Sequence, residues 1–231
     1  MSSNRGKKFI ELLNRRDKLE GTKIVGMLVR LDSSLYTVKR NYQDLSDAIN
    51  RYESDMSIWY LKNRPKLDAF LREFSRLLHN YLSSNYSLIE HTQMARKNLD
   101  NSELNEDYPL KLEEIFSKDC VRFVRDLRTY SQHIGLPLIA AHLSIQKKSH
   151  KVNEKRQILL EKETMLKWKK WHRDSRKYII SHKDIDLRVA LGEYQVSVEE
   201  FYKWFYEKVQ KLYSKELDEV SRIESELAKL S

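Results

Sequence analysis

Cysteine, glycine and proline are scarce in this chain, and each shortage removes a class of explanation. Among 231 residues there is one cysteine, Cys120, so neither an internal disulfide nor a cysteine-rich metal cluster can form. Five glycines and three prolines are too few for a loop-rich or disordered chain. Gly21 and Gly26 stand apart, without the Gly-Lys-Ser/Thr ending that brings a lysine to a nucleotide, and no Gly-x-Ser-x-Gly elbow occurs. The histidines, His79, His91, His133, His142, His150, His172 and His182, show neither His-Glu-x-x-His nor an i,i+4 pair. That pattern argues against a zinc or iron site, and no cofactor is implied. No apolar run approaches the ~18 residues of a membrane span. The opening Met1-Ser-Ser-Asn-Arg-Gly-Lys-Lys lacks the apolar centre of a secretory signal, so the chain reads as cytoplasmic, with no membrane contact.

What remains is helical. Apolar residues recur at Ile24, Leu28, Leu31, Leu35, Val38, Tyr42, Leu45, Ile49 and Tyr52 in alternating steps of four and three, a heptad stripe that predicts a long helix packed along another. Pro65 suits the first turn of a second helix, from about residue 65 to residue 100, whose buried face takes in Leu67, Leu71, Phe74, Leu78, Tyr81, Leu88 and Leu99. The polar segment 101–107 reads as a turn, with Pro109 opening a third helix that Gly135 and Pro137 end. After Pro137 the period becomes two: Ile139, Ala141, Leu143 and Ile145 alternate with small or polar residues. A second β-like stretch covers 156–162, beyond a charged connection over 146–155. Helices over about 163–180 and 186–194 follow. Ser197-Val-Glu-Glu200 has the capping-box pattern of a final long helix. The expectation is an all-α long-helix bundle over 1–231 as one domain, with a basic N-terminal segment at 1–21 and a small β-hairpin insertion at 138–162.

The segment Phe123-Val-Arg-Asp-Leu-Arg-Thr-Tyr-Ser-Gln-His133 carries the most chemistry. At about 100° per residue, Phe116, Cys120, Phe123, Leu127, Tyr130 and Ile134 share one side, and Arg122, Arg125, Arg128, Thr129, Gln132 and His133 share the other. The first is a core face, which makes Cys120 a buried small hydrophobe rather than a nucleophile. On the second, three arginines repeat at i, i+3, i+6 with Asp126 the nearby acid. Like charges so placed repel by a few tenths of a kcal/mol per pair, about 0.2–0.5, which a bound anion or acidic surface would relieve.

A further surplus of positive charge lies between Gln146 and Arg188, where fourteen Lys or Arg stand against six Asp or Glu in a chain of net charge +9. Such asymmetry favours anionic partners, nucleic acid above all. Trp168 and Trp171 interleave there with Lys169, Lys170 and Arg173. Three residues apart, the indoles read first as core beneath a charged rim and second as a platform for bases, with the cations on phosphates.

Arg128-Thr-Tyr-Ser-Gln-His133 is an Arg, four residues and a His at a helix end, and it resembles the Arg-x(4 to 6)-His motif of HEPN proteins. The preceding helix, with Leu78-His-Asn-Tyr-Leu82 and Leu88-Ile-Glu-His-Thr92, is similar to that of uncharacterised bacterial HEPN-like proteins. The resemblance implies a bundle that dimerises through the motif helices and, in catalytic members, cleaves RNA without a metal. His133 would then move the proton and Arg128 would hold the phosphate. It also implies a stress, phage-defence or toxin-antitoxin setting. Thr129 stands where catalytic motifs usually carry Asn, Asp or His. The alternative is a noncatalytic module that binds RNA, a nucleotide or a protein partner; under either reading Arg122, Arg125, Thr129, Gln132, Lys169, Lys170 and Arg173 are the candidate phosphate or RNA ligands.

Overall fold

The heptad stripe lies on helix α2 (Glu20–Ser54), which runs antiparallel to α3 (Arg64–Leu99). The computed structural model describes residues 2–137, 139–148 and 151–230. Contacts at Ser34 with His91, Asn41 with Asn80, and Tyr52 with Phe70 fix the antiparallel register. Ile24, Leu31, Leu35, Val38, Leu45, Ile49 and Tyr52 are buried along the seam; Leu28 and Tyr42 are partly so. At the turn, Trp59 Nε1 donates to the Tyr52 carbonyl at 3.2 Å, and Pro65 sits in the first turn of α3.

The polar segment after Asn101 is not a turn but helix α4 (Ser102–Phe116), and Pro109 lies inside it. The Asn101 side chain accepts from the Leu104 amide at 3.0 Å and so starts the helix well before the proline. An interior proline costs about 3 kcal/mol; burial of Leu104, Tyr108, Ile115 and Phe116 on the same helix offsets it. A break at Ser117 and Lys118 separates α4 from α5 (Asp119–His133), which ends before Gly135, at φ +129°.

The predicted hairpin is present, but its ladder is longer. Strands β1 (Ile139–Lys148) and β2 (Lys151–Leu160) pair from Ile139↔Leu160 to Lys148↔Lys151, so most of the charged connection is strand. Residues 138, 149 and 150 of the expected insertion lie outside the described residues. Buried Ile158, Leu159 and Leu160 root the hairpin in the core, and β3 (Ile185–Asp186) pairs with its base.

The helix expected over 163–180 is two short ones, α6 (Lys162–Leu166) and α7 (Arg173–Ser181). The intervening 167–172 leaves helical geometry, and Trp168 and Trp171 turn inward at 4.8 Å between centroids, nearly perpendicular. Trp171 Nε1 donates to the Met165 carbonyl at 2.8 Å, and the His172 side chain caps α7. Core packing, the first reading of this pair, is what the fold uses.

The boundary expected at Ser197 is absent. Helix α8 (Leu187–Leu212) runs through it, and Ser197 is buried mid-helix. Leu191, Tyr194, Val198, Phe201 and Phe205 form one buried stripe across the site, so burial favours continuation over a cap. Buried Gln195 accepts from the Tyr81 hydroxyl at 3.0 Å and donates to Glu199 at 2.9 Å, so its polar atoms have partners. The break falls at Tyr213, before α9 (Ser214–Leu230). The basic N-terminal segment is itself helical, α1 (Ser2–Lys18), packing Leu12 on Ile223 and Leu227 of α9.

The architecture is therefore an all-α bundle with a small three-stranded antiparallel sheet. No helix among the described residues is long and apolar enough to cross a membrane. Gly21 marks a close approach of α2 to α9: a Cβ there would collide with the Glu216 carbonyl and lie 2.7 Å from Val220 Cγ2. Gly21→Ala is expected to destabilise the protein by about 1–3 kcal/mol through overpacking. Urea unfolding checks this, and an unchanged midpoint would show that α9 yields freely.

Candidate functional site

Helices α3 and α5 bound an open cleft of about 390 Å³. Helix α5 is held by its apolar face: Phe123 stacks on Trp171 and Tyr178 at 5.9 and 5.1 Å, and Tyr130 stacks on Trp171 at 5.3 Å. With that side buried, the opposite side turns toward α3, and Arg122, Arg125, Asp126, Arg128 and Thr129 line the cleft. From α3 come Asn85, Tyr86, Ile89, Glu90 and Gln93; Tyr194 of α8 and His172 complete the wall.

The three arginines are not equivalent. Arg122 is neutralised from outside its helix. Its Nη2 donates to both Glu113 carboxylate oxygens at 2.9 and 3.0 Å, and its Nε is 3.6 Å from Asp174 Oδ2. The reading in which Asp126 alone offsets the arginine face is thus corrected: Asp126 accepts the His172 backbone N–H at 2.8 Å. Arg125 and Arg128 have no carboxylate ion pair among the described residues, with exposed Glu90 the remaining acid on the wall. Arg125 lies over the Phe116 ring at 6.0 Å, and the Arg128 guanidinium is 3.4 Å from the Tyr86 ring centroid. Stacking contributes about 0.5–1 kcal/mol at such partly open sites and strips water from the guanidinium. Among the described residues, the Nε atoms of both Arg122 and Arg128 are buried without a hydrogen-bond partner.

His133, the last residue of α5, is exposed and does not line the cleft. Five helical positions from Arg128 amount to about 7.5 Å along the axis and about 140° around it. Gln132, Lys169, Lys170 and Arg173 are exposed and likewise outside the lining residues; Arg173 Nε donates to Asp174 at 3.2 Å. The cleft's own imidazole is His172, whose Nδ1 is 3.4 Å from Asp174 Oδ2 and accepts from the Asp174 amide at 3.3 Å. Burial pushes the Asp174 carboxyl up, but the Arg173 hydrogen bond and the charges of Arg173, His172 and Arg122 outweigh it and hold it below the usual range.

Sequence reasoning missed His172, Tyr86, Asn85, Gln93 and Tyr194. Asn85 left a trace: the stripe of α3 passes from Tyr81 to Leu88, and the slot between holds this amide, buried in an otherwise apolar row. The α3 contributions otherwise depend on which face of α3 meets α5.

Among the described residues, no group of three or more His, Cys, Asp or Glu is placed to hold a metal ion. No family model, curated protein or solved structure matches the chain.

Cys120 lies behind the cleft. Its Sγ donates to Glu193 Oε2 at 2.7 Å, and burial together with this carboxylate pushes the thiol up to about 12. Reaction with a disulfide reagent at pH 8 is expected to run about a hundredfold or more slower in the folded protein than in urea, since thiolate fraction falls tenfold per pKa unit. Equal rates would show that the thiol is open to solvent.

Proposed function

We propose that the chain is a cytoplasmic HEPN-like module that binds RNA through phosphate contacts in the α3–α5 cleft. One observation carries the reading: among the described residues, Arg125 and Arg128 line a common opening without carboxylate ion pairs, whereas Arg122 is held by Glu113 and Asp174. A phosphate supplies the missing countercharge, and a planar guanidinium fits its oxygens better than an ammonium. The basic stretch 146–188 adds long-range attraction and needs no base reading. The position of His133 outside the lining residues supports binding over cleavage. Dimerisation through α5 and a defence or toxin-antitoxin setting belong to the same proposal and rest on the resemblance, with exposed Ile134 and Leu136 beside His133 as the available apolar surface.

Metal-free RNA cleavage is the second reading, favoured by the presence of His172 in the cleft with Arg122 and Arg128. An imidazole beside a held phosphate has the means to take the ribose 2′-hydroxyl proton.

Fluorescence anisotropy with a labelled single-stranded RNA tests binding. Arg125→Glu with Arg128→Glu is expected to weaken it about tenfold or more, and affinity is expected to fall steeply with salt. Arg76→Glu, whose arginine already pairs with Glu73 elsewhere on α3, serves as the control and is expected to change little. Binding that ignores the double variant would contradict the cleft as the site. For cleavage, RNA is incubated with the protein in EDTA and the ends are analysed. Cyclic phosphates lost in His133→Ala or in His172→Ala identify the proton carrier, and intact RNA with the wild-type protein rules this reading out.

A further inference from the structure

The β1–β2 hairpin has two long edges, and they are built differently. On the β2 side the base is covered by β3, which pairs with Leu159 and Leu160, and the remainder of the strand carries Lys151, Glu154, Lys155 and Arg156. Charged residues along an edge strand discourage pairing with another chain. Strand β1 has no such protection over most of its length. From Ile139 to Gln146 it holds no Lys, Arg, Asp, Glu or Pro, and its charged residues, Lys147 and Lys148, come at the far end. Among the described residues, no strand lies against its outer edge and no helix runs along it. Ile139 and Ala141 are partly buried on the core, whereas Ala140, His142 and Leu143 are exposed, Leu143 by 39%.

Such an edge presents a row of backbone N–H and C=O groups that a further strand satisfies. The placement of charge selects which strand, and in which direction. A second β1 in parallel would set each lysine beside its own copy, ~4.8 Å away, and like charges placed opposite each other destabilise a ladder. Run antiparallel about Leu143, the two lysine ends sit about eight residues apart. That is ~27 Å, well beyond the ~8–10 Å over which exposed charges interact in salt. The same register sets position 141 opposite position 145 and the exposed Leu143 opposite itself, so apolar residues meet across the seam.

We infer that β1 pairs antiparallel with β1 of a second copy of this chain, about a two-fold axis at Leu143, giving a joint sheet of order β2-β1-β1-β2. The assembly closes at two copies, because the charged β2 edges become its outer edges. This interface is distinct from α5 and depends on neither the HEPN resemblance nor the RNA-binding reading.

Sedimentation equilibrium of the full chain tests it, with amide hydrogen exchange measured at the dilute and concentrated ends of the series. A monomer–dimer equilibrium is expected, in which amides within 139–147 exchange about tenfold or more slowly at the concentrated end. Leu143→Lys is expected to weaken the dimer about tenfold or more, by placing two lysines at the axis. Val189→Lys makes the same change of charge at an exposed position of α8 and is expected to alter the dimer by less than about twofold. Exchange in the unsubstituted protein decides the matter if Leu143→Lys unfolds. A chain that stays monomeric with 139–147 unprotected would overturn the inference, as would a dimer whose protection falls on 119–136 instead. Growth beyond two copies would contradict the closed pairing.

Discussion

Aromatic packing on the inner face of α5 fixes which side of that helix lines the cleft. Phe123, Leu127 and Tyr130 are buried against Trp168, Trp171 and Tyr178. Each buried side chain contributes about 1.5–3 kcal/mol, and favourable ring pairs add about 0.5–1.5 kcal/mol. No rotation of α5 keeps that burial and also hides its arginines. The same packing pins the 167–172 segment, so His172 reaches the cleft as a consequence of where Trp171 must go.

The arginine face then divides by what surrounds it. Glu113 and Asp174 approach Arg122 from α4 and α7 and make it a structural cation. Arg125 and Arg128 receive rings instead of carboxylates. An aromatic face desolvates a guanidinium while leaving its charge uncompensated, which is a poor arrangement for stability and a good one for holding a phosphate. The amides and rings of Asn85, Gln93, Tyr86 and Tyr194 give the cleft wall a second chemistry beside its charge.

Much of this was legible in the residues. The stripe from Ile24 to Tyr52 specified α2, the change of period after Pro137 specified the hairpin, and the arginine spacing on α5 specified a cationic face. Where the reading failed, a local signal met a stronger burial term. Pro109 and the Ser197 capping pattern both look like helix starts, yet each sits where adjacent apolar residues are buried on one continuous helix. The candidate site was half legible for a related reason. Arg122, Arg125, Arg128 and Thr129 lie on one helix, whose periodicity brings them together. Tyr86, Gln93, His172 and the carboxylates of Glu113 and Asp174 arrive from other elements, and no periodicity within one helix encodes that meeting. The contribution of His133 is the part that spacing alone made look nearer than the cleft places it.

The central claim is that Arg125 and Arg128, and not the general basic surface, receive the phosphate. Nitrogen-15 NMR of the arginine Nε–H groups during titration with a 5′-phosphorylated RNA oligonucleotide tests it most directly. Saturable shifts of the Arg125 and Arg128 resonances, with Arg76 and Arg15 unmoved, are the predicted result. Shifts confined to arginines of the 146–188 stretch, with Arg128 silent at saturation, would contradict the account.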